Sequence, residues 1–276
     1  PDRFIDVGIA EQHAVATAAG LAMGGLRPVV AIYSTFLNRA WDQLYHDVGL
    51  HRLPVVFCID RAGVTGDDGP SHHGLLDLAL LTKVPGMTVL VPSCYEEVEG
   101  MLHQALDITD GPVAIRWPKT EARTDGSAGR GLTGRLLRAD PGRRVCLLGV
   151  GKLVSACQEA ADLLADRGVE TTVWDVRVAA PLDRVMLADA FDHRLVVTAE
   201  DGVVDGGVGA TVAAAARRLP VGGTTVGGTA GGARVLTCGL PVAYLPHGRP
   251  DEILAAHRLD GPGLARTVLE ALALPS

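Results

Sequence analysis

"VVAIYSTFLNRAWDQLYHDVGLHRLPVVFCID", residues 29–60, holds two short β-branched runs, VVAIY (29–33) and VVFCID (55–60), on either side of a stretch with helical spacing over about 36–50. Strands joined by a helical crossover of this length pair in parallel, and strands covered by helices on both faces carry unbroken apolar runs rather than alternation. The same pattern extends outward. On the amino-terminal side FIDVGI (4–9) reads as a strand before an alanine-rich helix over 11–23. On the other side a helix is expected over about 73–82, followed by MTVLV (87–91), YEEVEGMLHQAL (95–106) and VAIRW (113–117). The series predicts an α/β domain over 1–118, doubly wound around a mostly parallel sheet.

From Lys119 the composition turns rich in Gly, Arg and Thr, and 119–143 reads as a linker or hairpin-like excursion. A second, smaller α/β domain is expected over 144–276, with strands at VCLLGVG (145–151), TTVWDV (171–176) and RLVVTAED (194–201) and helices over 152–167 and about 206–218. GGTTVGGTAGG (222–232) reads as a low-complexity loop before the VLTCGLP run.

With 276 residues, 47% of them hydrophobic, the chain can build two cores. Its formal charge of −7 comes without a basic stripe or interleaved aromatics, which argues against a nucleic-acid surface and for a small-molecule partner. No apolar run reaches the roughly 18 residues of a membrane span, and no cationic start precedes an apolar segment. A soluble, cytoplasmic protein is expected. Cys58, Cys94, Cys146, Cys157 and Cys238 form no C-x-x-C pair, so reduced, mostly buried thiols are expected.

The chemistry concentrates in three places. Glu11 opens the alanine-rich helix. A carboxylate there often serves only the helix dipole, but DVGIA before it is apolar enough to bury the turn. Burial raises a carboxyl pKa and helix donors lower it, so a carboxyl poised between the two can share a proton with a heterocycle nitrogen. Tyr33, Phe36 and Arg39 follow a strand end in three-residue steps that bring side chains to one face; taken alone they read as core aromatics and a solvated Arg. DRAGVTGDDGPSHHG (60–74) places a Gly-rich loop at a strand's carboxyl end, where ligand crevices form in α/β sheets. His72 and His73 have no third ligand at metal-site spacing. No role falls to His73, which is expected in solvent.

DVGIAEQHAV (6–15), AIYSTFLNRAWDQ (31–43), DRAGVTGDDGPSHHG (60–74) and GPVAIRWPKT (111–120) resemble, in order and spacing, the carboxyl-terminal half of the 1-deoxy-D-xylulose-5-phosphate synthase family, thiamine-diphosphate enzymes of the transketolase superfamily. The second half of the chain resembles the transketolase carboxyl-terminal domain only in general form. The resemblance implies condensation of pyruvate with glyceraldehyde 3-phosphate and loss of CO2. It implies that Glu11 meets N1′ of the cofactor's aminopyrimidine and drives the imino form that removes the thiazolium C2 proton. Phe36 would stack on that ring, and Tyr33, Arg39 and Arg61 would face the aldehyde's phosphate. Asp68 and His72 would bind substrate hydroxyl and carbonyl groups or move protons. Where the family usually has Arg in Y-P-R-G, this chain has Lys119 in WPKT. A lysine still attracts phosphate but loses the bidentate fork, so Lys119 is expected to assist only.

The family binds the cofactor's diphosphate through Mg²⁺ with a G-D-G…N pattern. No such pattern occurs here: Asn38 is the only Asn, and DGG at 205–207 is a different sequence. The resemblance therefore implies an amino-terminal diphosphate-binding domain, supplied in cis or in trans, a homodimer, and a chain inactive by itself. A split transketolase carboxyl-terminal subunit or a 2-oxo acid dehydrogenase beta subunit would share the domain order. A non-catalytic dimerisation or regulatory module is a further alternative, against which the intact Glu11, Phe36, Arg39, Asp68 and His72 argue.

Overall fold

The computed structural model describes residues 2–121, 123–124, 129–218 and 233–273; the loop expected over 222–232 and part of the 119–143 stretch lie outside them. Two five-stranded sheets organise the described chain. In the first, β1 (Val29–Tyr33), β2 (Val56–Ala62), β3 (Thr88–Leu90) and β4 (Val113–Pro118) run parallel in the order β1-β2-β4-β3. In the second, β6 (Val145–Gly149), β7 (Thr172–Asp175), β9 (Leu195–Val203) and β10 (Arg234–Leu240) are parallel, in the order β10-β9-β6-β7. The helices are α1 (Glu11–Met23), α2 (Ser34–Leu37), α3 (Asp77–Leu81), α4 (Tyr95–Asp107), α5 (Leu153–Ala165), α6 (Arg184–Phe191), α7 (Val208–Ala216), α8 (Pro250–Ala256) and α9 (Gly261–Ala273). The expected mostly parallel α/β architecture is present in both halves.

Each sheet is closed on one side by an antiparallel strand. Val178–Ala180, β8, leaves the second half of the chain to pair with β3 of the first sheet. Arg135–Arg138, within the stretch read as linker, forms β5 against β7. Both are short edge strands whose pairing is set by distant partners, and neither carries a β-branched run long enough to announce itself.

Other local expectations are corrected. FIDVGI does not form a strand: the Asp6 carboxylate accepts the Gly8 N–H at 2.8 Å, Gly8 sits at φ +59°, and the segment turns instead of extending. The turn before Glu11 is not buried either, since Ile9 is 83% exposed. The helix expected over 36–50 is divided into α2, a 3₁₀ turn at Asn38–Ala40 and a π-helix at Gln43–Leu50. Its apolar spacing is still used: Leu37, Ala40, Leu44 and Val48 are all buried. The helix expected over 73–82 starts only at Asp77, because the residues before it close a loop.

The two halves meet through buried charge. Arg116 of β4 donates from Nε to Asp77 of α3 at 2.7 Å and from Nη1 to Asp201 of β9 at 2.6 Å, all three side chains being essentially inaccessible. Arg177, at φ +54°, donates to Glu97 of α4 at 2.6 Å, and Ser93 Oγ donates to Asp175 of β7 at 2.6 Å. Burial pushes the Asp175 carboxyl up to about 7, Glu97 adding to the rise while Ser93 opposes it.

Candidate active site

The carboxyl ends of β1, β2 and β4 lie side by side: Tyr33 is in register with Asp60, and Ala62 with Pro118. The residues singled out in the sequence emerge at this edge in two groups.

The first group is a chain of ring and charge contacts. The Arg61 guanidinium lies 3.9 Å from the Tyr33 ring centre, a cation–π contact of about 0.5–2 kcal/mol between two half-buried side chains. Tyr33 stacks on Phe36 at 5.8 Å between ring centres, and Phe36 meets the edge of His72 at 5.3 Å. Thr35 Oγ1 donates to the Ser71 carbonyl at 3.1 Å, and Ser71 Oγ lies 2.9 Å from His72 Nδ1. Lys119 Nζ donates to Asp68 Oδ2 at 2.6 Å. That hydrogen bond, with the positive charge of Lys119 and the nearby His72 and Arg61, holds the Asp68 carboxyl below its ordinary value. The lysine that departs from the family pattern therefore already has an anionic partner.

Asp68 and His72 ride on a closed loop. Gly63 and Gly74 exchange backbone hydrogen bonds at 2.8 Å in both directions, so 63–74 leaves and returns at one point. The closure demands glycine at its ends. Gly63 sits at φ +72° against the Asp201 carboxylate, and a side chain at Gly74 would run into Ser34 and the Arg61 carbonyl.

Glu11 and Arg39 make up the second group. Glu11 starts α1 and its side chain is 11% exposed. Its Oε2 is buried and accepts no hydrogen bond; Arg39 Nε stands 3.5 Å away, on a side chain 58% exposed. Such an oxygen is suited to a donor from outside the chain.

His73 corrects the sequence expectation. It is 6% exposed rather than solvated, and both ring nitrogens are engaged. Buried Asp77, Arg116 and Asp201, which support the loop from beneath, were also missed. Arg116 gave the one available signal, a charge inside the apolar VAIRW run. Among the described residues no three His, Cys, Asp or Glu side chains cluster as a metal site, and no helix is long and apolar enough to cross a membrane. The five cysteines are unpaired, Cys94, Cys146 and Cys157 buried and Cys58 and Cys238 partly so.

Residues 1–124 match the transketolase pyrimidine-binding domain, and residues 134–264 match the transketolase carboxyl-terminal domain. The chain belongs to the transketolase family. Within it, the chain is 44% identical to the 1-deoxy-D-xylulose-5-phosphate synthase of Parafrankia sp. (strain EAN1pec) over 99% of its own length and 41% of that protein's. It is 46% identical to the synthase of Mycobacterium avium (strain 104), covering 97% of this chain and 42% of that one. The chain thus spans about two fifths of the curated relatives it matches, aligning with their carboxyl-terminal part. A split-gene transketolase, solved as an inactive beta4 tetramer, superposes with a TM-score of 0.84 at 27% identity, covering 100% of this chain and 86% of that one. The transketolase of Campylobacter jejuni subsp. jejuni NCTC 11168, at 17% identity and a TM-score of 0.78 over 96% of this chain and 39% of its own, shares the fold.

Proposed function

We propose that this chain supplies the pyrimidine-binding side of a thiamine-diphosphate site in a 1-deoxy-D-xylulose-5-phosphate synthase, which joins pyruvate to glyceraldehyde 3-phosphate and releases one CO2. The observation that carries the proposal is the buried, undonated Oε2 of Glu11 at the first turn of α1. A ring nitrogen of the cofactor's aminopyrimidine, in its protonated form, fits it as donor, and Phe36 offers an aromatic face three residues before Arg39, the side chain beside Glu11. When bound, thiamine diphosphate supplies the carbanion chemistry. Glu11 holds the proton at N1′. Arg61, fixed over Tyr33, and Arg39 present guanidinium donors to the acceptor's phosphate. Asp68 and His72 reach substrate oxygens from the loop, and Lys119 keeps Asp68 ionised. The division into domains over 1–118 and 144–276, joined through 119–143, belongs to the same reading.

Mg²⁺ and the diphosphate are assigned to a further domain, in cis or in trans, and the working enzyme to a homodimer in a cytoplasmic setting. The split-gene transketolase supports a second reading, a carboxyl-terminal subunit that transfers ketol groups with a separate partner. One assay tests both. The chain with thiamine diphosphate, Mg²⁺, pyruvate and glyceraldehyde 3-phosphate is expected to release no CO2 above background, and the amino-terminal half of a related synthase to restore release. Turnover by the chain alone would refute the assignment of diphosphate binding to another domain. Ketol transfer without CO2, once that half is added, would favour the second reading.

Charge-assisted hydrogen bonds contribute roughly 1.5–3 kcal/mol each. In the assembled enzyme Arg61→Ala should therefore raise the KM for glyceraldehyde 3-phosphate by about ten- to a hundredfold, while the pyruvate KM stays within about twofold. Steady-state kinetics with each substrate varied in turn checks this, and a rise confined to pyruvate would place Arg61 on the donor side.

A further inference from the structure

His73 is adjacent in sequence to His72 but faces the opposite way. While His72 meets Phe36, the His73 ring is buried between the loop and the second half of the chain. Its Nδ1 accepts the Thr65 backbone N–H at 3.1 Å, with Thr65 Oγ1 at 3.2 Å. Its Nε2 lies 3.2 Å from the carbonyl oxygen of Pro246, 173 residues along the chain. An amide N–H can only donate and a carbonyl can only accept. These two partners therefore select one neutral tautomer, with the lone pair on Nδ1 and the proton on Nε2.

The rest of the loop points to the same docking. Gly66, at φ +92°, packs so closely on Pro250 that a side chain could not be inserted, and its carbonyl accepts the Gly248 N–H at 3.4 Å. Gly69 lies against His247. Within the loop the backbone bonds are local turns, Gly69 N–H to Gly66 O and His72 N–H to Gly69 O, at 3.1 and 3.0 Å. Such turns fix shape but not placement. The His73 imidazole is a side chain that joins the loop's own backbone to the 246–250 segment, and a buried partner left unpaired by its loss would be penalised.

We propose that His73 is a positioning residue, a strut that pins the 63–74 loop to the second half of the chain at Pro246 and so sets Asp68 and His72 for reaction. This rests on the functional reading of Asp68 and His72 given above. A reacting group misplaced by about 1 Å can lose about a hundredfold in rate, so the strut's effect belongs in kcat.

Two near-isosteric replacements separate the strut from mere packing. In His73→Asn the amide oxygen takes the place of Nδ1 and keeps the Thr65 bond, while the link to Pro246 is lost. In His73→Gln the amide nitrogen takes the place of Nε2 and keeps the link to Pro246, while the Thr65 bond is lost. In the assembled enzyme His73→Asn is expected to lower kcat about ten- to a hundredfold with the pyruvate KM within about twofold, and His73→Gln to stay within about threefold of the parent. Amide exchange across 63–74, the Thr65 amide itself aside, should quicken in His73→Asn and not in His73→Gln when measured on the chain itself. Equal losses in both variants, or full activity and unchanged exchange in His73→Asn, would overturn the proposal. A parent enzyme that releases no CO2 would sink the functional reading instead, and the exchange comparison would still decide whether His73 pins the loop.

Discussion

Glu11→Gln in the assembled enzyme is expected to fold as the parent does and to lose about 10²- to 10⁴-fold in kcat. The two side chains have the same shape, and Arg39, the cation beside Glu11, is 58% exposed. A pair as long as 3.5 Å with one partner largely in water contributes about 0–1 kcal/mol, so thermal denaturation should detect little change. The chemistry is affected far more. Oε2 is the buried oxygen with no donor of its own, and only an ionisable group there can hold and return a proton at N1′; an amide offers an N–H or a carbonyl but cannot exchange one for the other. The measurement is deuterium exchange at C2 of bound thiamine diphosphate, followed by NMR in D2O. Exchange should slow along with turnover. Parent-like exchange in a folded Glu11→Gln variant would remove Glu11 from the proton path and leave it as a helix-dipole carboxylate.

Much of this edge was legible in the sequence because a parallel sheet writes itself plainly. VVAIY and VVFCID are unbroken apolar runs, and the residues at their carboxyl ends, Tyr33 and Arg61, therefore fall at the carboxyl edge of the sheet. Only the inner strand is largely buried, however: at the sheet's edge β1 buries Val30 and Ile32 and leaves Val29 exposed. FIDVGI is similarly rich in apolar residues but forms a turn. Composition records that a segment is apolar, whereas a strand also needs a hydrogen-bonding neighbour, and here the Asp6–Gly8 bond wins. His73 was unreadable for a different reason. Its partners, Thr65 and Pro246, are neither periodic nor close together, and a buried histidine with both nitrogens satisfied has the same sequence signature as a solvated one. The same holds for Lys119. Its identity suggested a weakened phosphate ligand, and only the fold places it 2.6 Å from Asp68.

The second large effect concerns the charge buried beneath the loop. Arg116 is 2% exposed and touches two carboxylates that are not exposed at all, Asp77 from its own half of the chain and Asp201 from the other. Burial disfavours the charged form of Asp201, yet Arg116, and then Lys152 at 3.5 Å, hold its carboxyl below the ordinary value. Arg116→Ala would strip the main counter-charge from both, and breaking a buried pair on one side costs about 3–5 kcal/mol. Urea unfolding should show a loss of that size. The contribution of Asp201 to the pH dependence should change sign as well, joining that of Asp77, whose carboxyl is already held above its ordinary value by burial in the parent. In the parent, Asp201 titrates lower when folded, so its contribution is present above the unfolded carboxyl pKa of about 3.9 and is lost as pH falls through the folded value. In Arg116→Ala only Lys152 is left to offset the burial of Asp201, and both carboxyls titrate higher when folded than in the parent. The variant should then gain stability as pH is lowered from neutrality toward about 4. Replacing all three residues together with apolar ones should cost far less than Arg116→Ala, since the penalty lies in the uncompensated carboxylates and not in the absence of a salt bridge. Because Gly63, at the foot of the closed loop, packs directly on the Asp201 carboxylate, amide exchange at 63–74 should quicken in Arg116→Ala. A variant that unfolds at the parent's urea midpoint, with loop protection intact, would show that Arg116 contributes nothing to joining the two halves.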